Sequence, residues 1–110
     1  MAMKKIIQKI QLHFKRTLDK SEIDINELEE LVKKGAILID VRSPQEYEEG
    51  HLDNAILIPE YDINKKILDK FNINDEIILY CSTGNRSRKA KKKLEKMGYV
   101  KVYNLRDGIN

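Results

Sequence analysis

The sequence is poor in several residue types that would steer the reading. It has one cysteine, two prolines, two histidines and no tryptophan in 110 residues. A single thiol, Cys81, excludes an internal disulfide framework. With only His13 and His51 beside it, the usual four-ligand zinc sets cannot be assembled within one chain. A lone thiol suits a reducing compartment. Long apolar runs are also missing: the longest hold about five residues, against the roughly 20 that a membrane-spanning helix needs. Polar residues interrupt Ile6, Ile7, Ile10, Leu12 and Phe14, so no signal-peptide apolar region forms. Nor is there an excess of one charge, since Lys+Arg 21 against Asp+Glu 18 leaves only +3. Mixed signs of this kind give no reason to expect a nucleic-acid arm or a disordered tail. The expectation is a cytoplasmic protein with no metal, no cofactor, no membrane attachment and no nucleic-acid partner.

What is present is a 41% apolar fraction in a chain long enough for one domain. At this length a single core can hold the fold without staples. Residues 3–18 place Met3, Ile6, Ile7, Ile10, Phe14 and Leu18 at helical spacing, with Lys4, Lys5, Lys9, Lys15 and Arg16 mostly opposite. This predicts an amphipathic helix within an N-terminal extension, 1–22, ahead of a domain over 23–110.

From Ile23 onward short apolar runs alternate with helical stretches. Ile23 and Ile25 read as a short extended segment. Asn26, with Glu29 three residues on, reads as the cap of a helix that stops at Gly35. Ala36-Ile37-Leu38-Ile39, Ala55-Ile56-Leu57-Ile58 and Ile77-Ile78-Leu79-Tyr80 are continuous apolar runs of strand length, the pattern of strands covered on both faces. Ser43-Pro44-Gln45-Glu46 combines a cap, a proline at the first helical position and an acidic third residue, predicting a short helix to Gly50. A further helix is expected from about Asp62, carrying Ile63, Ile67, Leu68 and Phe71 inward. Another keeps Ala90, Leu94 and Met97 on one face and ends at Gly98, before a last strand over 99–103. The alternation predicts an α/β domain with a mostly parallel central sheet and helices on both faces.

In such sheets ligands sit outside the carboxyl ends of strands. Cys81-Ser82-Thr83-Gly84-Asn85-Arg86-Ser87 follows one of them, with small residues and one glycine before the next helix. A turn of that kind points successive backbone N–H groups inward, an anion-binding nest that lowers a thiol's pKa. Arg86 adds a positive charge and a planar fork for an oxyanion. Cys81 is therefore expected to be a thiolate near neutral pH and a nucleophile. His51 reads as a structural hydrogen-bonding residue, Asp40 as a carboxylate that orders its loop or pairs with a cation, and Glu46 as a capping residue. Arg86, Arg88, Lys89, Lys91, Lys92, Lys93 and Lys96 make the helix after the loop basic. That charge reads as a solvated face or as a field steering anionic donors and an acidic partner.

Residues 23–108 resemble a single-domain rhodanese, the family of thiosulfate and related sulfurtransferases. The loop carries the family's C-x-x-G-x-R-S at Cys81, Gly84, Arg86 and Ser87. Asp40-Val41-Arg42, Glu46-Tyr47, Gly50-His51-Leu52, Ala55 and Ile58-Pro59 fall upstream in the family's order and spacing. The resemblance implies that Cys81 takes the outer sulfur of thiosulfate or a persulfide and yields it to a thiol or cyanide-like acceptor, or to a sulfur-carrier protein. Arg86 and the loop backbone would carry the chemistry. Arg42 would hold sulfonate oxygens, and Ser82, Thr83, Gly84, Asn85 and Ser87 would help bind the donor. A non-turnover persulfide carrier or sulfur sensor is the alternative. A cysteine phosphatase or arsenate reductase fits less well, because related phosphatase loops set the arginine one residue further on. The chain departs from the family at its end: Asp107-Gly108-Ile109-Asn110 stands where a double glycine, an apolar residue and a tryptophan-bearing helix are usual. The helix over 3–18 is expected to cover that place. Asn54 stands where glycine is usual, and asparagine tolerates the left-handed region.

Overall fold

The computed structural model describes residues 19–64, 67 and 69–110; the helix expected over 3–18 lies outside them. Strands β1 Glu22–Ile23, β2 Ile37–Asp40, β3 Ile56–Leu57, β4 Glu76–Tyr80 and β5 Lys101–Leu105 form one sheet in the order β1-β5-β4-β2-β3. Every pairing is parallel. The α-helices are α1 Ile25–Lys33, α2 Pro44–Glu49 and α3 Asn85–Lys96, with a 3-10 turn at Glu60–Asp62.

The continuous apolar runs have the expected cause. Ile77, Ile78, Leu79 and Tyr80 of the central strand β4 are wholly buried because both faces of the sheet are covered. On one face Ile39, Ile77 and Leu79 meet Ala90 and Leu94 of α3 together with Ile63 and Ile67. On the other, Leu38, Ile78 and Tyr80 meet Leu28, Leu31 and Val32 of α1 and Tyr47 of α2. The α/β architecture is as read from the alternation, and no helix of the described residues is long and apolar enough to cross a membrane.

Three element boundaries differ from expectation. The first helix is capped by Asp24, not Asn26: Asp24 is extended, its carboxylate accepts the Glu27 N–H, and Glu27 returns the bond in a capping box. The last strand runs two residues later than expected, at Lys101–Leu105. In place of the helix expected from Asp62, the described residues form short turns, closed by bonds such as Asp62 N–H to Pro59 and Ile67 N–H to Asn64. Such i to i+3 closures are of the 3-10 kind and do not propagate far. Asn54 does adopt the left-handed region, at φ 67°.

The strand order locates the site. From β2 the chain moves outward through α2 to β3, whereas from β4 it moves the opposite way through α3 to β5. Strands β2 and β4 are neighbours, so their carboxyl ends flank the crevice where connections diverge, the place where open α/β sheets bind ligands. Cys81 stands at the end of β4. Asp40-Val41-Arg42 stands at the end of β2, joined to it by the Val41 N–H to Tyr80 carbonyl bond of 3.0 Å.

Candidate functional site

Directly after β4 the chain reverses so sharply that Gly84 takes φ 94°, and a Cβ there would collide with the Arg106 carbonyl oxygen. Only glycine meets both demands. Gly84 is also the cap of α3 and offers no side chain to the helix's first N–H groups, which leaves such groups free for another acceptor. The sulfur of Cys81 takes that place. Its Sγ accepts the Gly84 N–H at 3.1 Å and the Ser87 N–H at 3.4 Å, and the Ser87 hydroxyl lies 3.4 Å away. That hydroxyl also lies 3.1 Å from the Gly84 carbonyl, a second acceptor for its proton.

Cys81 is only 1% exposed, and burial by itself pushes its thiol pKa up. The Ser87 hydroxyl and the backbone N–H groups of Ser87, Thr83 and Gly84 outweigh burial and hold it below the ordinary thiol value. The expected nest is therefore present and built mainly from backbone. The expected arginine is arranged differently. Arg86 makes a two-pronged pair with Glu46, Nη1 to Oε1 at 2.7 Å and Nη2 to Oε2 at 2.9 Å.

Glu46 belongs to α2 and does two things at once. Its carboxylate accepts from the Ser43 N–H at 3.1 Å and the Ser43 hydroxyl at 3.0 Å, completing the capping box. The same carboxylate accepts the Ser82 hydroxyl at 3.0 Å and both Arg86 prongs. Arg86 first, then Ser43, with Ser82 assisting, hold the Glu46 carboxyl well below the usual carboxylate range. The cap is legible in the sequence and the clamp is not. The cap is written in a four-residue pattern, whereas the clamp joins residues 40 apart.

Arg42 does not occupy the place assigned to it. Its side chain is turned into the domain, where Nε and Nη2 donate to the Asp40 carboxylate, Nη2 at 2.8 Å. Nη2 also donates to the Gly50 carbonyl, and the guanidinium carbon lies 5.7 Å from the Tyr80 ring centre. Two of its three nitrogens are thus committed inside the domain, and the residue is only 7% exposed. Asp40 orders this loop, accepting the Arg42 N–H at 2.9 Å as well. His51 stacks on Tyr47 with ring centres 3.7 Å apart and donates from Nδ1 to the Tyr47 carbonyl. Thr83 and Asn85 are exposed at the loop's rim.

A further support comes from the chain's last residues, where the family's closing double glycine is reduced to Gly108. Gly108, at φ 68°, lies against the backbone of Cys81 and Ser82, where a Cβ would not fit. The N–H groups of Ile109 and Asn110 then bond to the carbonyls of Cys81 and Ser82 at 3.1 and 3.0 Å. The back of the loop is thus tied down, and its N–H groups are left to face the sulfur. Among the described residues no three His, Cys, Asp or Glu side chains are grouped as a metal site.

Residues 24–110 match the family described as Rhodanese-like domain. The thiosulfate sulfurtransferase PspE of Escherichia coli is 39% identical over 67 residues, 60% of this chain and 64% of that protein. The putative sulfur carrier protein YrkF of Bacillus subtilis is 36% identical over 72 residues, 66% of this chain and 38% of that protein. The chain thus spans less than two thirds of either relative's length. Among solved structures, the BH2092 protein of Bacillus halodurans superposes with a TM-score of 0.75 at 32% identity, covering 92% of this chain and 76% of that one.

Proposed function

The chain belongs to the rhodanese-like domain family, and on that premise we propose that it is a sulfurtransferase working through a persulfide on Cys81. The observation that carries this reading is the convergence of the Gly84 and Ser87 N–H groups on the Cys81 sulfur. A ring of N–H donors suits a reaction whose resting thiolate and terminal persulfide are both anions at one place. Cys81 thiolate attacks the outer sulfur of the donor, and the new S–S bond forms as the old one breaks. The leaving group, sulfite from thiosulfate or a thiolate from a persulfide, departs with the electron pair. A thiol or cyanide-like acceptor then takes the outer sulfur and regenerates the thiolate. The donor binds above the loop near Ser82, Thr83 and Asn85, and no side chain need act as a general base.

The family's named relatives include both a transferase and a carrier, so transfer to small acceptors is the point to test. Purified protein is incubated with thiosulfate or glutathione persulfide and a thiol acceptor, and sulfite or thiol release is followed together with the mass of Cys81. Multiple turnovers, with a transient gain of one sulfur atom that Cys81→Ser abolishes, are expected. A stable adduct without turnover would favour the carrier. Equal rates for wild type and Cys81→Ser would overturn both.

A further inference from the structure

Three cations on the elements around the loop are matched by carboxylates. Arg42 pairs with Asp40 at 2.8 Å, Arg86 with Glu46 at 2.7 Å and Lys93 with Glu60 at 2.8 Å. Lys89, exposed one turn into α3, is the cation nearest the loop in sequence with no partner among the described residues. Between Cys81 and Arg86 the loop itself is uncharged: Ser82, Thr83, Gly84 and Asn85. Thiosulfate is a dianion, and as its S–S bond breaks both charges come to rest on the sulfonate oxygens of the leaving sulfite. A thiol persulfide leaves as one thiolate. The first donor needs a cation beside the sulfur; the second does not.

Resting on the reading of the chain as a sulfurtransferase, we propose that Glu46 sets the donor class. By closing a two-pronged pair on Arg86 it withdraws the loop's guanidinium from anionic donors, so that Cys81 takes sulfur from thiol persulfides in preference to thiosulfate. The step balances without a further reactant: Cys81–S⁻ and R–S–SH give Cys81–S–SH and R–S⁻. The Cys81 sulfur is oxidised as the R sulfur is reduced; the proton crosses on the transferred sulfur and then passes to the more basic R–S⁻ or to solvent, leaving the persulfide anion. Glu46 touches neither donor sulfur. It is a positioning residue that acts through Arg86, with the Ser82 hydroxyl held on the same carboxylate.

The test is the ratio of kcat/KM for thiosulfate to kcat/KM for glutathione persulfide. Glu46→Gln weakens the pair and frees Arg86, and the ratio should rise by about fivefold or more, chiefly through a lower KM for thiosulfate. Adding Arg86→Gln should cancel the rise. A purely structural role would lower both donors' rates together and leave the ratio unmoved, which overturns the proposal. So does a rise that survives removal of Arg86, or one that Lys89→Ala cancels instead. Should Glu46→Gln fail to fold, Glu46→Asp keeps the charge while being one methylene too short to span Ser43 and Arg86, and should move the ratio the same way by a smaller factor. If the wild-type protein takes no sulfur onto Cys81 from either donor, sulfur transfer itself is refuted. If it transfers sulfur but the ratio stays fixed, only the donor assignment falls.

Discussion

At the scale of single residues, the Cys81 thiol is set by a contest. Burial disfavours the thiolate, and a hydroxyl and three backbone N–H groups favour it and win. The N–H groups cannot be removed by mutation, but the Ser87 hydroxyl can. Iodoacetamide alkylation followed against pH should show a midpoint below that of an ordinary thiol, about 8.5. Ser87→Ala should move it upward, and an unmoved midpoint would mean that the backbone alone tunes the sulfur. The same lowering links to stability. A depressed folded value adds stability above the ordinary thiol pKa, and the gain fades as pH falls through the folded value. Gly84 is the other decisive residue. Gly84→Ala meets both a positive φ and the Arg106 carbonyl, so it should cost more than the usual about 1 kcal/mol for glycine replacement in a strained position. Alkylation of its Cys81 should then lose the lowered midpoint.

At the scale of elements, α2 is a helix of only 6 residues, too short to persist without its ends secured. Ser43, Pro44 and Glu46 secure one end, and the Glu46 clamp fastens the helix to the loop across the crevice. Ser43→Ala should lower stability by about 1 kcal/mol, a drop in Tm of about 4–8 °C for a domain of this size, measured by thermal unfolding. Because the folded carboxyl of Glu46 titrates below the usual range, its contribution is complete above the ordinary glutamate value of about 4.3 and is lost as pH falls through the folded one. Glu46→Gln should therefore lose most stability at neutral pH and least in strong acid. Most of these elements were legible in the sequence because each is signed locally: a cap, a stop glycine, an apolar run. Asp24 and Asn26 both begin a polar-to-acidic pattern at the same spacing, and only the extended backbone at Asp24 separates them. After Pro59 the apolar residues point inward as in a helix, Ile63 and Ile67 being buried. Burial spacing alone does not distinguish a helix from successive 3-10 turns.

At the scale of the whole molecule, the site is where two chain paths part, and the Cys81 loop could be placed there from sequence because it directly follows a buried strand. The arginines could not be placed in that way. Arg42 and Arg86 each lie near a strand end and read alike as groups for an anion, yet their carboxylate partners, two and 40 residues away, face opposite tasks. Asp40 is fully buried and Arg42 7% exposed, so the pair is internal. It fastens the end of β2 to Gly50 at the end of α2, and so fixes one wall of the crevice. Removing one partner of such a pair leaves a lone charge in the interior, at a cost of about 3–5 kcal/mol against a total of about 5–15 kcal/mol. Asp40→Asn keeps an acceptor for the Arg42 N–H but leaves the guanidinium unpaired, and should lower the urea unfolding free energy by that amount. Adding Arg42→Gln removes the stranded charge and should restore at least about half of the loss. If Arg42 instead reached the donor, Asp40→Asn would cost less than about 1 kcal/mol, and the double variant would raise the donor KM without recovering stability.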